Sequence, residues 1–128
     1  MRYTAEEKLK MERLLEAFGD YLAKNQDVDV AYSEKTGYVR LIIAECADAV
    51  FFPIQNYNEM LQMFFYDILC DEVSHALERN ASLTNADMDY SAVRERLASI
   101  LSTLEDRDHA MSELDRFINT WKSHPLLP

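Results

Sequence analysis

Glu72-Val73-Ser74-His75 is the one stretch of this chain that has the form of a chemical site. A carboxylate and an imidazole three residues apart project to one side of a helix, and di-iron carboxylate bundles carry such a pair on each of two helices. Those bundles also need a lone carboxylate from each of two further helices. The candidates are Asp106-Arg107-Asp108-His109 as a degenerate second pair, with Glu12, Glu16 or Glu95 as lone carboxylates. Asp in place of Glu, and strands interrupting the helices, both count against the match. The competing reading is structural: Glu72 salt-bridged or emerging to solvent, His75 partly buried. Glu72, His75 and His109 are therefore metal-ligand candidates only in an alternative reading, and no metal or cofactor is expected. Asp67, Asp71 and His75 fall at i, i+4 and i+8, a spacing that could hold a divalent ion weakly, but a solvated acidic face accounts for them better.

Nucleophilic chemistry would need Cys46 or Cys70 beside a histidine. Cys70 and His75 are five residues apart, about 140° round a helix, so they cannot pair on one helix. The chain has no Gly-rich phosphate loop, no Gly-x-Ser-x-Gly and no Cys-x-x-Cys. Nothing supports an enzyme.

The elements that would position these residues centre on a helix over 56–80. Asn56 and Glu59 stand in a capping-box relation, and no Gly or Pro interrupts the run from there to Asn80. Leu61, Phe64, Phe65, Ile68, Leu69, Val73 and Ala76 form a wide apolar stripe, with Glu72 near its centre and His75 at its flank. Met60, Met63, Tyr66 and Cys70 lie off that stripe, so the helix is apolar nearly all round. Such a helix is either central to the fold or shared with a partner.

Thr4 and Glu7 form a second capping box, and an apolar stripe from Leu9 through Met11, Leu14, Leu15 and Phe18 to Leu22 predicts a first helix reaching about Lys24. Gly19 interrupts it, either for a close approach or incidentally. From Asp27 the period changes to two: Val28, Val30 and Tyr32 read as a half-buried strand. Glu34-Lys35-Thr36-Gly37 is a turn with Gly where a positive φ is needed, and residues 38–43 return as the second strand. Ala49 to Ile54 reads as a third strand of an antiparallel meander, which Pro53 restricts to an edge or a strand end. Phe51, Phe52, Tyr57, Phe64, Phe65 and Tyr66 crowd this region, ordinary as core filling.

Beyond a polar link, Val93, Leu97, Ile100, Leu101, Leu104, Met111, Leu114, Ile118 and Trp121 hold one more helical stripe. The absence of Gly or Pro near Glu105 to Asp108 favours one long helix over a helix pair. A helix of about 33 residues, some 50 Å at 1.5 Å per residue, would overhang the core of so small a chain. Its stripe would need another subunit, with Leu104, Met111, Leu114 and Ile118 at the interface.

Charge and length set the remaining limits. The 128 residues carry a net charge of −10. Residues 1–40 hold 7 basic and 8 acidic side chains, 41–90 hold 1 and 9, and 91–128 hold 5 and 6. An acidic middle repels phosphate, so direct binding to nucleic acid or anionic lipid is disfavoured. No apolar run approaches the ~20 residues that cross a bilayer, and the charged start lacks the apolar stretch of a signal peptide, so a cytoplasmic protein with free thiols is expected.

The expected fold is α+β and mostly helical: an N-terminal helix, a small antiparallel β-hairpin or meander, a central helix, and a long C-terminal helix or helix pair. Residues 1–123 are expected to form one domain, with 124–128 a loosely packed tail. The expected function is that of a non-catalytic interaction or regulatory protein acting as a homo-oligomer, most simply a dimer, with a further protein partner open. The alternatives are a metal-binding helical protein and an acidic nucleic-acid mimic that blocks a basic protein.

Overall fold

The computed structural model describes residues 3–25, 27–42, 50–84 and 88–123. In chain order these form α1 (Ala5–Ala17), α2 (Gly19–Lys24), β1 (Val28–Ser33), β2 (Gly37–Ile42), β3 (Val50–Pro53), α3 (Tyr57–Arg79), α4 (Tyr90–Leu101) and α5 (Arg107–Lys122). The fold is α+β and mostly helical, with a small antiparallel sheet, as the sequence predicts. It divides into two compact units, Met1–Met60 and Leu61–Pro128.

In the first unit, Thr4 caps α1 by accepting from the Glu7 N–H at 3.1 Å. Its partner in the expected box does something else: the Glu7 carboxylate lies 3.5 Å from the Tyr57 N–H at the start of α3, to which it can serve as acceptor. Met11, Leu14 and Phe18 are wholly buried at helical spacing, whereas Leu9 is 48% exposed and lies outside the stripe assigned to it. The single first helix is instead two, broken where Phe18 takes φ −93° and ψ 11°. A Cβ at Gly19 would meet nothing within 4 Å, so no element uses that glycine for a close approach.

The sheet has the order β1-β2-β3, antiparallel throughout. Ser33 pairs with Gly37 around a three-residue loop. Gly37 has φ 74°, the left-handed conformation such a loop demands, and the Ser33 and Thr36 hydroxyls meet at 2.6 Å within it. Opposed residues share a face. One face therefore carries Val28, Val30, Tyr32, Tyr38, Arg40, Ile42, Val50 and Phe52, the other Asp29, Ala31, Val39, Leu41, Phe51 and Pro53. The first lies under α1: Lys8 Nζ sits 4.6 Å from the centre of the Tyr32 ring, and Tyr3 stacks on Tyr38.

Tyr3 also completes the sheet. At the end of the β2–β3 ladder the Ile54 N–H donates to the Tyr38 carbonyl at 2.9 Å. The reciprocal bond is replaced by a hydroxyl: the Tyr38 N–H donates to Tyr3 Oη at 2.9 Å, and Tyr3 Oη donates to the Ile54 carbonyl at 2.6 Å. Tyr3, Tyr38 and Ile54 are all buried, so each of these polar groups depends on the others.

Asn56 caps α3 through the Glu59 N–H at 2.8 Å, while the Glu59 carboxylate reaches one residue further, to the Gln55 N–H at 3.2 Å. Within the second unit Leu61, Phe64, Phe65, Ile68, Leu69 and Val73 are buried. Phe65 meets Phe117 edge-on at 5.9 Å, and Tyr66 meets Trp121 at 5.8 Å, which fixes α5 against α3.

The C-terminal stripe is not one long helix. The chain turns over residues 102–106, with the Leu104 N–H donating to the Leu101 carbonyl at 3.1 Å and the Leu104 side chain buried in the turn. Helix α5 restarts from Asp106, and α4 and α5 join through a two-point ion pair between Arg94 and Asp115. Leu104, Leu114 and Ile118 are buried and Met111 half-buried, so the fold itself covers the stripe that called for a second subunit. The expected tail at 124–128 lies outside the described residues, as does Cys46.

Two substitutions test this unit-one framework. Tyr3→Phe leaves a buried N–H and a buried carbonyl without the bridging hydroxyl, and should cost about 2 kcal/mol in urea denaturation. Unchanged stability would mean the rung closes directly. Gly37→Val forces a β-branched residue to positive φ and should cost more than about 1 kcal/mol; an unaltered melting temperature would contradict the turn described.

Candidate functional site

The side chains singled out for chemistry do not gather into one site among the described residues. Glu72 accepts from Arg96 Nη1 on α4 at 2.9 Å, a partly exposed ion pair inside the second unit. His75, one turn further along α3, is exposed, and His109 is exposed in the first turn of α5. Among the described residues no three His, Cys, Asp or Glu side chains gather as a metal site. Asp67 departs furthest from expectation. It is 5% exposed within the apolar side of α3, so Asp67, Asp71 and His75 do not form one solvated face. Cys70 is half-buried.

A cleft of about 390 Å³ opens between α4 and α5, lined by Tyr90, Arg94, Asp115, Asn119 and Lys122. Its charges are already engaged. The hydrogen bond from Arg94 holds the Asp115 carboxyl below the usual carboxylate range, and the same contact raises Arg94. Lys122 Nζ lies 5.5 Å from the centre of the Tyr90 ring. Burial pushes the Tyr90 hydroxyl up, against a hydrogen bond from the Trp121 side chain that lowers it. The cleft is a helix–helix joint with matched polar groups.

The sheet offers a different kind of site. Val50 is 50% exposed, Phe51 65% and Phe52 46%, and they are consecutive on β3, the outer strand beyond β2. Phe51 shares its face with Ala31 and Pro53, both exposed, and with Val39 and Leu41, both half-buried. A contiguous apolar strip is therefore open to solvent, which scattered surface residues do not produce. Reading these aromatics as core filling missed it. Pro53 signalled the edge position of the strand but not the exposure of its side chains.

The two outer strands differ in their main-chain edges. The outward Val28 N–H donates to Asn25 Oδ1 at 3.2 Å and the Val30 N–H to Asp29 Oδ1 at 2.8 Å, so side chains engage two outward donors of β1. On β3, the inward bond of Ile54 sets the alternation: Phe52 turns to β2, while Phe51 and Pro53 turn outward. Pro53 has no N–H, and among the described residues no side chain stoppers the outward Phe51 amide.

No protein-family model, curated protein or solved structure matches the chain. No helix among the described residues is long and apolar enough to cross a membrane.

If Glu72 serves its ion pair with Arg96, Glu72→Gln should cost under about 1 kcal/mol, as partly exposed pairs do. Zinc or manganese should leave the melting temperature unchanged. A metal-dependent rise that His75→Ala abolishes would reassign the pair as ligands.

Proposed function

We propose that the chain is a non-catalytic interaction protein that engages another polypeptide through the apolar surface of β3. The observation that carries this is the run Val50, Phe51 and Phe52, about half or more uncovered on an outer strand. Apolar area of this kind gains about 25 cal/mol per Å² on leaving water, so it drives association wherever a complementary surface exists. The net charge of −10 favours a basic polypeptide over nucleic acid or an anionic lipid surface.

Self-association through Leu104, Met111, Leu114 and Ile118 has lost its motive, because three of the four are buried inside the chain. Glu72 paired with Arg96 likewise removes the main support for the metal-binding alternative.

The test is a photo-crosslinking amino acid at position 51, with a second protein carrying it at the exposed position Ser112. In cells making the protein, position 51 should yield a discrete adduct whose mass reports the partner, and position 112 should not. Adducts no more discrete at 51 than at 112 would reject the proposal.

A further inference from the structure

We infer that β3 receives an added strand: an extended, apolar segment of a different protein, flanked by basic residues, pairs main chain to main chain along its outer edge. The inference rests on the interaction reading above and names the partner's chemistry.

Three observations carry it. The first is the asymmetry of the edges. Asn25 and Asp29 occupy two outward donors of β1, Val28 and Val30, whereas β3 presents the Phe51 N–H and carbonyl together with the Pro53 carbonyl. Those groups are spaced to pair with one extended segment, and strand addition of this kind takes its affinity from main-chain bonds and its selectivity from alternate side chains. Phe51 and Phe52 point to opposite faces, so they would flank an added strand on both sides.

The second is area. Taking 150–250 Å² for a phenylalanine, the exposures of Phe51 and Phe52 leave on the order of 200 Å² open. The neighbouring apolar residues bring the strip to a few hundred Å², short of the ~800 Å² per partner of a standard stable complex. A second folded copy would be under-supported by such a strip, while a segment of four to six residues matches the length of β3.

The third is charge. Two copies of this chain bring −10 each to the contact, and the unit that holds β3, Met1–Met60, carries 11 acidic side chains against 7 basic. Basic flanks on the incoming segment complement that field.

The probe is a capped seven-residue peptide of alternating valine and threonine with a lysine at each end, titrated into the intact protein and followed by amide NMR. The Phe51 amide should shift and become protected from exchange. Two further peptides carry N-methyl groups on one or the other alternating set of amides. One of the two should bind at least tenfold more weakly and the other near the parent, because only one set can face β3. Replacing both lysines by glutamate should weaken binding severalfold at low salt, and the difference should shrink at high salt.

Several results would overturn the inference: no shift at Phe51 with millimolar peptide, equal binding by both methylated peptides, or equal binding by the lysine- and glutamate-ended peptides. So would a protein that sediments alone as a dimer and becomes monomeric as Phe51→Asp, since the occupant would then be a second copy. Crosslinking at position 51 with no peptide binding removes strand addition and leaves the interaction reading standing; failure of both removes both.

Discussion

The first unit depends on one hydroxyl. Tyr3 Oη stands between the Tyr38 N–H and the Ile54 carbonyl, where a direct ladder bond would otherwise close. One oxygen thereby joins the N-terminal segment, the start of β2 and the end of β3. The geometry makes the sheet and the helix beside it mutually conditional. A hairpin alone is marginal in water, and here the third strand and the cover of α1 add what it lacks. The segment that leads into α1 supplies the hydroxyl, while the Glu7 carboxylate points from α1 to the first turn of α3. Losing Tyr3 would thus loosen the strand pair and the register of the helix over it together.

The second unit is organised by ring packing. Phe65, Phe117, Trp121 and Tyr66 form a chain of contacts with centroids 5.8 to 6.2 Å apart, alternating edge-on and stacked. Each ring removes a large area from water, and the preferred angles add specificity to the burial. The exposed ion pairs Arg94–Asp115 and Arg96–Glu72 contribute alignment of α4 with α5 and of α4 with α3. Their side chains are 32–48% exposed, so solvent screening limits their energetic share.

Much of this was legible in the residues. The hairpin declared itself through the change to a period of two and through Gly37, and α3 through its cap and stripe. The C-terminal turn was invisible for a specific reason. Leu104 and Met111 are seven residues apart, a step that keeps apolar side chains in phase along one continuous helix. The same residues therefore satisfy a straight helix and a folded-back pair, and periodicity cannot separate them. Asp67 misled in another way: charge suggested solvent, whereas Phe64 and Ile68 on either side place its position within the buried surface. The exposure of Phe51 was equally hidden, because an apolar residue type does not say whether anything lies over it.

The stoppered edge of β1 sets a limit on what the sheet can become. A sheet with two live edges is a template that every added strand renews, and such growth has no natural end. Here Asn25 and Asp29 fold their own side chains over one margin, which makes the sheet directional. A strand arriving on that side must first displace those two side chains. A strand taken up beside β3 would extend the sheet by one step away from that obstructed margin. Of the two edges, β1 is thus the more obstructed route to fibre formation.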